Sequence, residues 1–276
     1  MIPLRDNLPT DRFPVVTAVI IAINVFVFLF LQGPSFSLSA GDNVDSAPVV
    51  GYGAIPYRIE HPDRDCGLAP TTGGGDTVVC EGTALAQEAR QEGVPVKHVR
   101  EAPAYLTLLT SMFMHGGWLH IAFNMLFLWV FGNNIEDAMG RFRFVFFYLI
   151  GGVVATLTHV LLEAGSTTPT VGASGAIAAV LGAYALLYPR ARVLTLIFAL
   201  FVFIVEIPAM ILLGIWIFLQ FLPAVQQFSS PDDLGGGGVA YYAHIGGFLF
   251  GLATVKLFAI RRSRTYTGGG PRYPVY

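Results

Sequence analysis

Residues Met112 to Phe131 read MFMHGGWLHIAFNMLFLWVF, an apolar stretch of 20 residues that contains two histidines and one asparagine. A helix needs roughly 20 apolar residues to cross the hydrocarbon core of a bilayer. Polar side chains inside such a helix are costly, so they usually mark a functional site. The stretch therefore predicts a membrane span in which His120 and Asn124 are candidate functional residues.

Similar apolar stretches recur along the chain. Of its 276 residues, 54% are hydrophobic and 12% are charged, whereas soluble proteins carry about 25% charged residues. This composition excludes a soluble domain, and a net charge of -2 gives no basic surface for nucleic acid. The predicted fold is an all-α, polytopic membrane bundle of six transmembrane helices. The spans are Val15–Leu31, Met112–Phe131, Phe142–Leu162, Val171–Tyr188, Ile207–Leu222 and Val239–Ile260.

The stretch from Val193 to Leu222 is too long for one span. As a single helix its 30 residues would run roughly 45 Å, whereas the hydrocarbon core is about 30 Å thick. Glu206 and Pro208 interrupt it. We therefore predict that Ile207–Leu222 is the span and that Val193–Val205 lies at the membrane surface or re-enters it.

Arginines alternate between the short loops of this bundle. Short cytoplasmic loops are enriched in Lys and Arg. The loops Glu163–Thr170 and Pro223–Gly238 contain neither residue, so every second short loop is basic. Both termini are therefore predicted to be cytoplasmic. The basic positions are Arg5, Arg12, Arg141, Arg143, Arg190, Arg192, Arg261, Arg262 and Arg264.

These spans divide the chain into parts. They are a cytoplasmic N-terminus (1–14), the first span (15–31), an external loop with an inserted segment (32–111), a core of spans two to six (112–260) and a cytoplasmic tail (261–276). The first span could be a signal peptide, but its 17 apolar residues exceed the usual 7 to 15. Cys66 and Cys80 lie in the external loop, where a disulfide is favoured over free thiols.

Four polar side chains from three spans share one depth in this topology. His120 and Asn124 are one helical turn apart, so they lie on one face of span two. Ser174 and His244 lie near the outer ends of spans four and six, each roughly 7 Å below the surface at 1.5 Å per residue. We therefore expect one polar layer near the external side.

Ser174 and His244 are the residue types that nucleophilic catalysis requires. A serine hydroxyl is a poor nucleophile until a base accepts its proton, and neutral imidazole is the usual base near neutral pH. Acyl transfer also needs hydrogen-bond donors for the oxyanion of its transition state. His120, Asn124 and the Ser174 amide are the candidate donors.

Small residues predict that spans four and six pack closely, because close approach of membrane helices requires small side chains. They recur at four-residue steps: Ser174, Ala178 and Gly182 in span four, Gly247 and Gly251 in span six. Such residues also serve packing alone, and a lone histidine in a span can simply bond a neighbouring helix. The combination of residue types, order and depth favours catalysis.

Other site chemistries lack their residues in this sequence. No His-Glu-x-x-His occurs, and His115 and His120 are five residues apart, which suits a shared metal poorly. His115 is read as interfacial or structural. No pair of aspartates lies in the spans, and Ala176 breaks the Gly-x-Ser-x-Gly pattern of a nucleophile elbow. No metal, nucleotide or other cofactor is therefore expected.

Three motifs resemble those of the rhomboid family of intramembrane serine proteases. They are His120-x-x-x-Asn124 on span two, Gly172-Ala173-Ser174-Gly175 on span four and Ala243-His244 with Gly247 on span six. The resemblance runs from the first span to Leu257, except the insertion around residues 60–100. It implies Ser174 as nucleophile, His244 as general base in a dyad without a carboxylate, and His120, Asn124 and the Ser174 amide as the oxyanion site.

The resemblance also implies how substrates reach the site. In the family, substrate helices enter laterally beside the fifth span and under the loop that follows it. Here these are Ile207–Leu222, with Trp216 and Phe218 as gate residues, and Pro223–Gly238. The run Gly235–Gly238 would make this cap mobile.

Two positions depart from the family pattern. Leu106-Thr107 stands where the family often has Trp-Arg in the external loop. Ala178 stands where many members stack an aromatic side chain on the catalytic histidine. His244 must therefore be oriented by other residues.

The sequence thus predicts a serine protease that cuts single-span membrane proteins near their outer boundary, surrounded by lipid. The alternative is a non-catalytic relative that binds membrane helices as a chaperone or adaptor, which would be expected to have lost Ser174 or His244. A transporter would need broken helices in repeated halves. A bacterial cell membrane is expected because no organelle-targeting segment precedes the first span, with the site opening to the external side.

Overall fold

The structure, a computed structural model, describes residues 1–33, 45–71, 75–198, 202–229 and 240–260. The described part is mostly helical. Its helices are α1 (Val15–Phe26), α2 (Ser46–Tyr52), α3 (Pro56–Glu60), α4 (Ala84–Glu92), α5 (Thr107–Thr110), α6 (Trp118–Met139), α7 (Arg141–Leu162), α8 (Ser174–Leu187), α9 (Ala209–Ser229) and α10 (Tyr241–Phe258). Its strands are β1 (Ile2–Asp6), β2 (Cys66–Pro70), β3 (Asp76–Cys80), β4 (Lys97–His98), β5 (Arg192–Phe198) and β6 (Val202–Pro208).

Each predicted span overlaps a helix, but the helices differ in length. By length and composition, two helices of the described ranges can cross a membrane, namely α7 and the part of α9 from Ala209 to Gln226. The helical residues Ala104–Phe113 and α6 add a third if they count as one span broken by a bend of 79°. Val15–Leu31 and α8 are apolar but shorter. The domain is therefore a mostly helical membrane domain, and these lengths do not by themselves establish six spans.

Helix α6 begins later than the sequence pattern predicts. The chain bends at Gly116 and Gly117, so His115 lies before the helix and not inside it. At its other end α6 continues past Phe131 to Met139. There the Glu136 carboxylate accepts hydrogen bonds from the backbone N–H groups at the start of α1, at 2.8 and 3.0 Å. Glu136 thus satisfies N–H groups that the first turn of α1 leaves free.

The described residues of Val193–Val205, a segment expected at the membrane surface, lie in two β-strands, and β5 and β6 are called the β5–β6 hairpin below. Strands β5 and β6 pair antiparallel, and β1 from the N-terminus pairs with the other edge of β5. The expectation of an all-α fold is therefore wrong in this region. A local apolar pattern could not reveal it, because the hairpin is completed by a strand from the opposite end of the chain.

The segment between α1 and α6, called the external segment after its predicted side, contains a second sheet in the strand order β3-β2-β4. Cys66 and Cys80 lie opposite each other in β2 and β3, and a disulfide joins them. Ala54 and Thr170 exchange two backbone hydrogen bonds, of 3.0 and 2.8 Å. The external segment therefore contacts the loop that leads into α8.

Helix α8 lies at the centre of the helical core. Every residue from Gly175 to Tyr184 is buried, and α6, α7, α9 and α10 all contact this helix. Its 14 residues span roughly 21 Å at 1.5 Å per residue, less than the hydrocarbon core. Because the predicted span starts at Val171 but the helix starts at Ser174, this serine occupies the first helical turn.

Candidate active site

Ser174 and His244 meet between the N-terminal turns of α8 and α10. The Nε2 atom of His244 lies 2.8 Å from the Ser174 Oγ atom, a hydrogen-bond distance. His244 is buried and Ser174 is partly exposed to a cavity of about 600 Å³. The structure therefore brings the two residues together in the geometry that a nucleophile and its base require.

The other nitrogen of His244 contacts a residue that the sequence analysis did not single out. Its Nδ1 atom lies 2.9 Å from the Oε1 atom of Gln220, on α9. The amide nitrogen of Gln220 donates to the Trp216 carbonyl at 3.2 Å. The Trp216 ring lies over the imidazole of His244, with 5.7 Å between centroids and 38° between planes. Two residues of α9 thus contact the His244 ring, next to which the sequence has Ala178 and no aromatic side chain.

A signal for Gln220 exists in the sequence. Gln220 is a polar residue inside an apolar span, and the rule that such residues mark functional sites also identifies His120 and Asn124. It was missed because no motif connects it with His244, 24 residues further along the chain.

His120 and Asn124 line the same cavity from α6. The backbone N–H of Gly116 donates to the Nδ1 atom of His120 at 3.2 Å, so in the neutral imidazole the proton resides on Nε2. A Cβ added to Gly172 would lie 2.8 Å from this Nε2 atom and 3.6 Å from the Ser174 Oγ atom. The Nε2–H group of His120 is therefore a donor close to the serine.

Asn124 is less directly aimed at the serine. Its amide nitrogen donates one hydrogen bond, of 2.9 Å, to the His120 carbonyl one turn earlier. Its side chain is buried and borders the cavity. The second amide hydrogen remains for a group inside the cavity, because each Asn amide has two.

The backbone around Ser174 supplies a further donor. Ser174 is the first residue of α8, and the first four N–H groups of a helix have no partner within it. The preceding Gly172 has a φ of +127°, a conformation that side chains with a Cβ rarely adopt. This glycine also leaves room for the His120 ring beside it.

Small residues bring α8 and α10 together, as their spacing predicted. A Cβ on Gly182 would collide with the Phe248 carbonyl oxygen, one on Gly247 with the Gly175 carbonyl oxygen, and one on Gly251 with the Ala179 carbonyl oxygen. Ala178 also lies in this contact, 3.2 Å from a Cβ placed on Gly247. On its other side Gly175 faces α7, where the Cβ atom of Ala155 would lie 2.7 Å from a Cβ added to Gly175.

The two expected gate residues point in different directions. Trp216 borders the cavity, whereas Phe218 is 59% exposed on the outer face of α9. The expected cap loop Pro223–Gly238 is helical up to Ser229, and the run Gly235–Gly238 lies outside the described residues. The expected tail 261–276 lies outside them as well.

His115 and the two cysteines do not join this site. His115 is fully buried, and the side chain of Gln32 hydrogen-bonds both its backbone N–H and its carbonyl, at 2.8 and 2.7 Å. Its ring packs edge-on against His120, with centroids 5.2 Å apart. The disulfide between Cys66 and Cys80 belongs to the external sheet.

Comparison with known proteins gives a family for this arrangement. Residues 102–261 match the Rhomboid domain, which is more than half of the chain. "Rhomboid protein 1, mitochondrial" of Saccharomyces cerevisiae is 31% identical over 151 residues, which cover 53% of this chain and 40% of the yeast protein. "Presenilin-associated rhomboid-like protein, mitochondrial" of Homo sapiens is 30% identical over 148 residues, 52% of this chain and 36% of the human protein.

A third relative is "Rhomboid-like protein 11, chloroplastic" of Arabidopsis thaliana, 37% identical over 75 residues, which cover 27% of this chain and 26% of the plant protein. The chain thus spans less than half the length of these relatives. Their names contradict the expectation of a bacterial cell membrane, and that expectation is wrong. Hydropathy and arginine placement indicate how a chain crosses a membrane, but they do not indicate which membrane. By the match of residues 102–261, the chain belongs to the rhomboid family.

Proposed function

We propose that this chain is an intramembrane serine endopeptidase that hydrolyses peptide bonds in or near the membrane-spanning segments of other proteins. The observation that carries the proposal is the 2.8 Å hydrogen bond between Ser174 Oγ and His244 Nε2. Ser174 is the nucleophile, and His244 is the general base that accepts its proton.

The chemistry follows from the protonation of His244. The Oε1 atom of Gln220 accepts from Nδ1, so Nε2 carries a lone pair that can accept the serine proton. The serine oxygen attacks the peptide carbonyl, and the resulting imidazolium donates its proton to the leaving amine. Water then releases the acyl group by the same steps, with His244 again acting as base. The reaction requires no metal or cofactor.

The oxyanion of the tetrahedral intermediate would be stabilised by the Ser174 backbone N–H and the Nε2–H of His120. Both donors lie beside the Ser174 side chain, the first at the N-terminus of α8 and the second next to Gly172. Asn124 would contribute its second amide hydrogen. Fixed donors of this kind stabilise developing charge strongly, because they do not have to reorganise during the reaction.

The membrane setting of the site is part of the proposal. We infer six spans, α1 and α6 to α10, with the core at 112–260 and the external segment at 32–111. Arg141 and Arg143, at the start of α7, and Arg190 and Arg192, which follow α8, would lie on the side away from Ser174. The cavity would then admit water from the opposite side, because Ser174, at the start of the short helix α8, lines it.

Single-span membrane proteins are the proposed substrates, entering beside α9. A helical substrate must open its backbone hydrogen bonds before a peptide carbonyl can reach Ser174. Backbone groups without partners are costly in lipid, so segments with small or helix-destabilising residues should be cut preferentially. This substrate class and this route are carried over from the resemblance to the family.

The test is cleavage of a single-span test substrate by the purified protein in liposomes. Ser174→Ala and His244→Ala should each lower the rate by more than roughly 10³-fold while the protein still folds. His98→Ala, an exposed histidine of the external segment, is the matched control and should cut as the unmodified protein does.

Full activity in Ser174→Ala would refute the assignment of the nucleophile. A protein that neither cuts the substrate nor reacts with a fluorophosphonate at Ser174 would refute the protease proposal. Such a result would favour the alternative, a non-catalytic binder of membrane helices.

A further inference from the structure

The imidazole of His244 is contacted on two sides by residues of α9. Gln220 meets its Nδ1 atom at 2.9 Å, and the Trp216 ring lies over it at 5.7 Å between centroids. Neither residue lies on α8 or α10, the helices that carry the proposed dyad. The orientation of the base therefore depends on a third helix.

Two hydrogen bonds determine which way the Gln220 amide faces. Its nitrogen can only donate, and it lies 3.2 Å from the Trp216 carbonyl oxygen, which can only accept. Its Oε1 atom must then face His244, and it can only accept. The proton between Gln220 and His244 therefore belongs to Nδ1, and Nε2 remains free to accept the proton of Ser174.

We propose that Gln220 is a positioning residue that fixes the tautomer and ring orientation of His244, a role that rests on the proposed protease function. In soluble serine proteases a buried carboxylate holds the base in this way. A carboxylate inside a membrane span is far more costly than a neutral amide. Gln220 supplies the required acceptor without placing a charge in the span.

The proposal also accounts for Ala178. This position is fully buried in the contact between α8 and α10, 3.2 Å from a Cβ built on Gly247. An aromatic side chain there would not fit without separating the two helices. The ring of His244 is therefore oriented from α9, by Trp216 above it and by Gln220 at its edge.

The first experiment measures cleavage kinetics of the chain with Gln220→Met and Gln220→Glu. Methionine has a similar volume but leaves Nδ1–H without an acceptor, so kcat should fall about 10- to 100-fold with little change in KM. Glutamate restores an acceptor and should recover most of this loss. Leu249→Met, on the lipid-facing side of α10, introduces the same side chain at an exposed position and should keep normal kinetics.

The second experiment reads the tautomer without needing activity. Nitrogen-15 NMR of histidine-labelled protein, with His244→Ala as the assignment control, is recorded in the Ser174→Ala background. We expect the Nδ1–H form with Gln220 and a mixture of tautomers with Gln220→Met. The same tautomer in both proteins, or unchanged kcat in Gln220→Met, would overturn the role of Gln220. If the unmodified protein shows the Nδ1–H form but neither cuts nor reacts with a fluorophosphonate, the protease proposal fails and the positioning contact stands.

Discussion

Helices α9 and α10 both hold the imidazole of His244, yet they pack against the core in opposite ways. On α10, an added Cβ at Gly247 or Gly251 would collide with backbone carbonyl oxygens of α8. On α9, an added Cβ at Gly214 would have nothing within 4 Å among the described residues. Backbone contact therefore fixes α10 along α8. Helix α9 is attached by backbone hydrogen bonds at its start, from Ala209 and Met210, and reaches His244 further along through the side chains of Trp216 and Gln220.

The outer face of α9 confirms this difference. Many of its large apolar side chains are exposed, as expected for a helix that faces lipid: Met210, Ile211, Ile215, Phe218, Leu219, Phe221, Leu222 and Val225. Its inner face contributes Leu212 and Leu213 to the core and Trp216 and Gln220 to the site. The distance between Ser174 and His244 is thus set by backbone packing of α8 against α10, whereas the proposed orientation of the His244 ring depends on side chains of α9.

The largest effect on the pairing of Ser174 with His244 is expected where backbone meets backbone. Gly251→Ala places a methyl group against the Ala179 carbonyl, which cannot rotate away, so α10 must shift from α8. We expect a loss of about 1–3 kcal/mol in the free energy of unfolding. Cleavage and fluorophosphonate labelling should both fall by at least about 10-fold, because the Ser174–His244 bond depends on this contact. Both are measured on the purified protein in detergent.

Gly214→Ala is the matched control on α9. The same methyl group meets no described atom within 4 Å there, so stability should be unchanged or slightly higher. Ser174 should still react with the probe. An equal loss in both variants would show that the effect of Gly251→Ala does not come from its contact with the Ala179 carbonyl, and the comparison would be wrong.

The tight contact was predictable from the sequence, and the loose one was not. Small residues four apart on two apolar helices lie on one face, so Gly182, Gly247 and Gly251 could be assigned to a contact in advance. The contact of Gln220 with His244 joins single side chains of different helices. Spacing along one helix carries no information about such a pair.

Helix boundaries show a similar limit. The first span was predicted at Val15–Leu31, and helical structure covers these residues, with a π-helical turn at Val27–Leu31. Spans two and four were predicted several residues too early, because hydropathy does not distinguish an apolar loop from an apolar helix. The bend at Gly116 and Gly117 and the start of α8 at Ser174 determine the depth of the site, and hydropathy shows neither.

The β1-β5-β6 sheet, from which α9 begins, provides a second way to test how α9 is attached to the core. Strand β6 leads directly into α9, β6 pairs with β5, and β5 pairs with β1. Asp6 at the end of β1 is buried, and it accepts hydrogen bonds from the Asn134 amide at 2.7 Å and from the Tyr184 hydroxyl. Asp6 therefore links the sheet to α6 and α8.

The charge of Asp6 should make this link depend on pH. Burial raises the pKa of Asp6 from 3.8 to about 6, and hydrogen bonds from Tyr184 and Leu8 oppose the shift. Between these values the folded state binds more protons than the unfolded state, so stability falls as pH rises from about 4 to about 6 and then levels off. At about 1.4 kcal/mol per pKa unit, the loss is of the order of 3 kcal/mol.

Unfolding measured from pH 4 to pH 7 tests this prediction. The Asp6→Asn variant cannot ionise at this position and should lose the part of the pH dependence that Asp6 causes. Limited proteolysis should show the opening at higher pH in the β5–β6 hairpin and not between α8 and α10. A pH dependence that is identical in both proteins would contradict the link.

The smallest effect is expected at the far end of α9. The hydroxyl of Tyr242, on α10, donates to the Ala224 carbonyl at 2.8 Å and so joins the two helices beyond the site. Tyr242→Phe removes this bond and keeps the ring, which should lower the free energy of unfolding by about 1 kcal/mol. Because the glycine contacts with α8 remain, fluorophosphonate labelling of Ser174 should change less than about 2-fold.

Tyr241→Phe is the matched control, since it makes the same change at the neighbouring, partly exposed position and should leave both measurements unchanged. If Tyr242→Phe instead lowered labelling as much as Gly251→Ala does, the end of α9 would control the distance between Ser174 and His244. The backbone contact of α8 with α10 would then not be sufficient to set that distance. A small loss confined to stability would mean that α9 can loosen at this end while Ser174 and His244 stay paired, as the proposed entry of substrates beside α9 requires.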